Sequence, residues 1–169
     1  MTGNEVKAAN QANHILIVDD EEIVLVALRE TLRQLGYVVS TASDAVQGLE
    51  LLHQHQFAVV ITDHQMPRLT GLEFLAQVKV IQPNASRVLI TAVLNLTTVI
   101  DAINRAEVFR FLIKPWQREE LVGTLRAAVE RYQAAVLQHC LLSEARNTNA
   151  RLMARTLELE SELAKRSGH

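Results

Sequence analysis

Four acids, Asp19, Asp20, Glu21 and Glu22, follow directly on four aliphatic residues in the stretch HILIVDDEE. Carboxylates this close repel one another and are costly to desolvate, so they need either water or a cation. Three more polar residues stand at comparable points, each at the end of a short aliphatic run: Asp63 after FAVVIT, Thr91 in RVLITA and Lys114 after VFRFLI. Asp19, Asp20 and Asp63 supply hard oxygen donors suited to Mg²⁺, which takes one or two carboxylates, several waters and a phosphate oxygen. Such a cation neutralises an incoming phosphoryl group. Lys114 can pair with a second phosphoryl oxygen, and Thr91 can donate a hydroxyl to a third. Asp63, nearest the centre, is the natural nucleophile for an aspartyl phosphate. Glu21 and Glu22 read instead as first-turn acids favoured by a helix dipole. His53, His55 and His64 fall in loops or at a helix end and are expected to be exposed.

This chemistry works only if separate elements bring those residues together. ILIV (15–18), YVVSTA (37–42), FAVVIT (57–62), RVLITA (87–92) and VFRFLI (108–113) are short, aliphatic and β-rich, as strands buried on both faces are. Between them run helical patterns. Ile23, Val24, Val26, Ala27, Leu28, Leu32 and Leu35 recur at helical spacing, stopped by Gly36. Ser43 or Asp44 caps a second helix carrying Ala45, Val46, Leu49, Leu51 and Leu52. A third runs through Leu72, Phe74, Leu75 and Val78 to Pro83, and a fourth lies near 97–106. Strands alternating with helices imply βαβ units and a parallel sheet covered on both faces. In such sheets functional residues gather beyond the carboxyl ends of the strands, where the four polar positions above fall.

VDDEE, DHQMPRLTG, LITA and FLIKPW, in this order and spacing, resemble the receiver domain of two-component response regulators over about residues 14 to 130. The resemblance implies a flavodoxin-like (βα)5 doubly wound parallel sheet of order 2-1-3-4-5. It implies phosphotransfer to Asp63 from a sensor histidine kinase or a phosphotransfer protein, in the cytoplasm. By the same resemblance Asp20, Asp63 and the Gln65 backbone carbonyl hold Mg²⁺ directly, and Asp19 acts partly through water. Thr91 is then the switch hydroxyl, Ala92 leaves the phosphate site open, Phe111 is the switch aromatic and Lys114 the phosphate-pairing cation. Lys114-Pro115 is expected to be cis. Phe111 stands where many relatives have tyrosine, so a hydroxyl contact is missing. Val93 cannot orient an attacking water, which suggests a longer-lived phosphoaspartate.

Half of the 169 residues are hydrophobic (49%), enough for a core, and the net charge of -2 supplies no basic field for direct nucleic-acid binding. Cys140 stands alone, which excludes an internal disulfide and suits a reducing compartment; at helical spacing it is expected to be buried or interfacial. No apolar run reaches bilayer length. Residues 1–13 read as a polar, disordered lead-in. Trp116 fits either a partner anchor or a cap on the final helix. From Gln117 to Lys165 there is no proline, and Gly123 is the only glycine. Leu121, Leu125, Ala128, Tyr132, Ala135, His139 and Leu142 form one heptad-like seam, and Leu152, Thr156, Leu159 and Leu163 a second. Residues 131–169 are therefore expected to be a helical linker that forms a parallel, homodimeric coiled coil and passes the signal to an output domain or effector protein. Beyond residue 130 no DNA-reading or catalytic motif is visible. Two rival readings stand beside this one. A haloacid-dehalogenase-like hydrolase also uses a strand-end Asp with Mg²⁺, but carries a second Asp where this chain has Gln65. A pseudo-receiver scaffold would not need the full acid, threonine and lysine set.

Overall fold

The computed structural model describes residues 13–92 and 95–167. The expected lead-in falls, but for Asn13, outside the described residues, as does Val93. Contacts divide the chain into one unit ending at Gln133 and another beginning at Ala134. In chain order the elements are β1 (His14–Val18), α1 (Glu22–Gln34), β2 (Val38–Ala42), α2 (Ala45–Gln54) and β3 (Val59–Asp63). Then follow α3 (Gly71–Ile81), β4 (Ser86–Thr91), α4 (Leu96–Asp101) with a π-helical turn (Ala102–Ala106), β5 (Arg110–Ile113) and α5 (Arg118–Ser167).

Among the described residues the strands form one parallel sheet of order β2-β1-β3-β4-β5. Alternation along each strand feeds two cores. Ile15, Ile17, Ile61 and Ile90 face Leu25, Leu28 and Leu32 of α1 and Leu121, Leu125 and Ala128 of α5. Leu16, Val18, Val60 and Leu89 face α2, α3 and the π-helical turn, with Phe74 and Leu75 at the centre. The buried stripe of α1 is thus Leu25, Leu28 and Leu32, while Ile23, Val26 and Leu35 are exposed. Several apolar phases coexist in that helix, and only the tertiary contact selects among them.

Local signals set the boundaries. Asp44 caps α2 by accepting from the Gln47 N–H. Thr70 and Glu73 form a capping box that starts α3. Gly36, at φ 88°, ends the α1 turn in the left-handed region. The first four apolar members of the expected C-terminal seam are not free for a coiled coil. Leu121, Leu125, Ala128 and Tyr132 are all at most 8% exposed and belong to the sheet's own core. A core-facing helix and a coiled-coil helix repeat at nearly the same spacing, and here the sheet takes the stripe. Cys140 is exposed rather than buried. Trp116 is half-buried against the α1–α5 core, as a cap on the final helix would be.

Candidate functional site

Register alone carries the polar positions to one edge. Val18 pairs with Thr62, Asp63 with Ile90 and Thr91 with Ile113. Asp19, Asp63, Thr91 and Lys114 therefore stand in sequence across the carboxyl ends of β1, β3, β4 and β5. A pocket of about 260 Å³ opens there, lined by Asp20, Glu21, Asp63, His64, Gln65, Thr91, Ala92 and Lys114.

Lys114 organises the charges. Its Nζ lies 2.7 Å from Asp63 Oδ1, 3.2 Å from Glu21 Oε1 and 3.5 Å from Asp19 Oδ2. Partial burial works to lower the Lys114 pKa, but hydrogen bonds to Asp63 and Glu21 and the charges of Asp19 and Asp63 raise it above the ordinary lysine value. Backbone donors complete the shell: the Gln65 N–H donates to Asp63 Oδ2 at 2.6 Å, and the Glu21 N–H to Asp19 Oδ1 at 2.8 Å. Asp19 is fully buried, and burial pushes its carboxyl above the usual range; the Glu21 N–H and Lys114 pull the other way, and Asp63 adds to the rise. The Lys114-Pro115 peptide is cis. Phe111 is half-buried and packs on the α3-side core, beside Leu89 in register.

The loop after β3 is held close to Asp63. The Gly71 N–H donates to the His64 carbonyl at 3.0 Å, and a Cβ built on Gly71 would collide with the Asp63 carbonyl oxygen. Glycine is required there for close approach rather than for an unusual φ.

Whether these residues suit Mg²⁺ is a question of donor chemistry. Among the described residues no three His, Cys, Asp or Glu side chains form a metal cage. Mg²⁺ does not ask for one, because it keeps waters and shares a phosphate's oxygens. Exposed Asp20 and nearly buried Asp63 line the same pocket beside Gln65, which meets that smaller requirement.

Residues 15–126 match the family model for the response regulator receiver domain. The chain belongs to that family. Among curated proteins, this receiver is 36% identical over 116 residues to the hydrogenase transcriptional regulatory protein HoxA of Cupriavidus necator, covering 69% of this chain and 24% of HoxA. It is 31% identical to the transcriptional regulatory protein GlrR of Escherichia coli, covering 86% of this chain and 32% of that one. Against solved structures it superposes on the signal receiver domain of an HD domain-containing protein from Pseudomonas fluorescens, with TM-score 0.69 and 36% identity over 72% of this chain and 97% of that one. On the adenylate cyclase structure from Rhodopirellula baltica the TM-score is 0.73 at 30% identity, covering 78% and 97%. The chain thus spans about a quarter to a third of those curated relatives. As a receiver it is a signalling module with a phosphoryl-acceptor role, not an enzyme in the ordinary sense. No helix among the described residues is long and apolar enough to cross a membrane.

The receiver's geometry adds two residues to the expected set. Glu21 precedes α1 as its N-cap, lines the pocket and contacts Lys114, so it is more than a first-turn acid. His64 is half-buried and lines the pocket, with Nδ1 buried and without a hydrogen-bond partner among the described residues. It was expected to be exposed. Its place beside Asp63 was the available signal, since the residue after a strand-end nucleophile cannot stray far from it. His53 and His55 are exposed.

Proposed function

We propose that Asp63 accepts a phosphoryl group from the phosphohistidine of a sensor histidine kinase or phosphotransfer protein. One Asp63 oxygen attacks phosphorus, the P–N bond breaks, and the departing imidazole nitrogen keeps the electron pair. The observation that carries this reading is the Asp63–Lys114 contact of 2.7 Å inside a pocket that also holds Thr91 and Ala92. Asp20, Asp63 and the Gln65 backbone carbonyl are the residues that would hold Mg²⁺, with Asp19 acting through water. When bound, Mg²⁺ supplies charge neutralisation for the phosphoryl oxygens. Lys114 leaves Asp63 to pair with a phosphoryl oxygen, and exposed Ala92 leaves room for the group. The Thr91 hydroxyl is drawn toward it, and half-buried Phe111 follows into the space beside β4. Pro115 shapes the turn that places Lys114.

Hydrolysis of the phosphoaspartate is the receiver's own slow reset and not a turnover activity. The signal leaves through α5 to an output domain or effector protein, with self-association of two chains through the C-terminal part of that helix. The receiver itself neither binds nucleic acid directly nor enters a membrane. A cytoplasmic setting suits the lone, exposed Cys140.

Beryllofluoride with Mg²⁺ mimics the phosphoryl group and tests the assignment. At a hundredfold excess over Kd, wild type should gain about 2.7 kcal/mol of stability. Asp63→Asn should fold and gain nothing; equal stabilisation of the two proteins rejects Asp63 as the acceptor.

A further inference from the structure

In the unit beginning at Ala134, every described side chain is exposed except half-buried Ala135. Four of its seven leucines nonetheless fall on one seam, with Leu137 and Leu157 outside it. Leu142, Leu152, Leu159 and Leu163, between 44 and 64% exposed, fall with Ala145, Asn149 and Thr156 on alternating steps of three and four. This is heptad spacing, with Leu142, Asn149, Thr156 and Leu163 at a and Ala145, Leu152 and Leu159 at d. Leu141 and Met153 take flanking g and e positions, and Cys140 points outward at f.

We infer that this seam pairs with a second copy of the chain in a parallel, in-register coiled coil, in which Asn149 faces its own counterpart. The inference rests on the proposed self-association of α5 and on the parallel orientation expected of its seam, and it adds Ala145, Asn149 and the register. The polar positions decide the occupant. In a parallel pair each a residue meets itself, so two Asn149 amides can donate to and accept from each other, and two Thr156 hydroxyls can do the same. Arg155 at g then faces Glu160 of the second copy at e, opposite charges at the position that sets partner choice. Arg155 already touches Glu158 of its own helix at 3.0 Å, but that exposed pair is weak and competes little.

Other arrangements lose these matches. An antiparallel pair would put Asn149 against Leu152, leaving its amide unsatisfied at the interface, and Arg155 against Thr148. A slip of one heptad would set Asn149 against Leu142 and Thr156. A foreign helix would have to supply a polar residue at each point where a second copy already has one.

Disulfide trapping in the full-length chain, with Cys140→Ser, reads the orientation. Ala145→Cys and Thr156→Cys should each form a covalent dimer alone on mild oxidation. An equimolar mixture, with one variant carrying a size tag, should give only like-with-like products. Cross-linking that appears only in the mixture means an antiparallel coil and overturns the inference while leaving self-association intact. A chain that sediments as a monomer at every concentration overturns both. Neither result touches Asp63, which is read separately by beryllofluoride. Asn149→Leu should tighten self-association about tenfold while admitting mixed cross-links, because a buried polar a residue trades affinity for register. If Asn149→Leu weakens association instead, Asn149 does not lie in the interface as inferred.

Discussion

Lys114 is the residue on which the site's electrostatics turn. It bridges Asp63, Glu21 and Asp19, so removing it leaves the fully buried Asp19 and nearly buried Asp63 without their counter-charge. Yet its predicted partner in the signalling state is the phosphoryl group rather than the metal. Lys114→Ala should therefore keep Mg²⁺ affinity nearly unchanged while weakening beryllofluoride binding by about ten- to a hundredfold, the worth of one charge-assisted bond. Paired titrations of metal and analogue check this; an equally large loss of metal affinity would contradict the division of roles. A second titratable residue lies at the opposite end of β1. His14 bonds Ser40 Oγ at 2.9 Å and packs on Phe57. Burial, then the nearby charge of His55, hold its pKa below the ordinary 6.5, against a smaller upward pull from a backbone bond at Gln56. Protonation thus favours the unfolded chain. The stability carried by neutral His14 is intact above pH 6.5 and is lost as pH falls from there through the lower value of the folded state. Melting midpoints between pH 7 and 5.5 should fall more steeply for wild type than for His14→Gln, and parallel curves would remove His14 from the account.

At the level of elements, the loop between β3 and α3 is fitted to Asp63 with no slack. Gly71 returns the chain against the Asp63 backbone, where no Cβ can enter without moving it. Gly71→Ala should cost about 1–3 kcal/mol, the usual penalty of overpacking. Because the displaced atoms belong to the phosphoacceptor's own backbone, it should also weaken the beryllofluoride response, measured as the stabilisation remaining at saturating analogue. A stable variant with an undiminished response would show that the contact relaxes elsewhere. The strands were legible in the sequence as short aliphatic runs, and four of the five reach a polar residue with chemistry to do; their order came from the resemblance to the receiver family. Long-range features were not legible. Arg87 reads as the first residue of a strand, yet it is fully buried, donating to the carbonyls of Ala106, Pro83 and Ala85 and pairing with Glu107. No local pattern announces that those carbonyls will converge on it. Glu21 escaped for the same reason, since it contacts a lysine distant in sequence, whereas His64 stands next to Asp63 and that adjacency was an available signal. The stripe Leu121, Leu125, Ala128 and Tyr132 has a seam's spacing, but the nearest apolar surface is the sheet.

At the scale of the whole molecule the two units draw stability from different sources. The unit ending at Gln133 has a sheet with two buried faces; the unit beginning at Ala134 is, over its described residues, a helix with no buried face of its own. Asn147-Thr148-Asn149 places three poor helix formers near its middle. In the proposed dimer part of its order comes from association, which depends on concentration where the sheet's stability does not. Dilution of the full chain should lower its helical circular dichroism and shift sedimentation from dimer toward monomer together, while the main melting transition stays in place. A chain ending at Gln133 keeps Leu121, Leu125, Ala128 and Tyr132, so it should fold, respond to Mg²⁺ and beryllofluoride as the full chain does, and remain monomeric. A dimer persisting after that truncation would move the interface onto the receiver. Helicity that ignores dilution down to the monomer would show that residues 134–167 hold their helix through local propensity alone, and that the exposed leucines contribute nothing to its order.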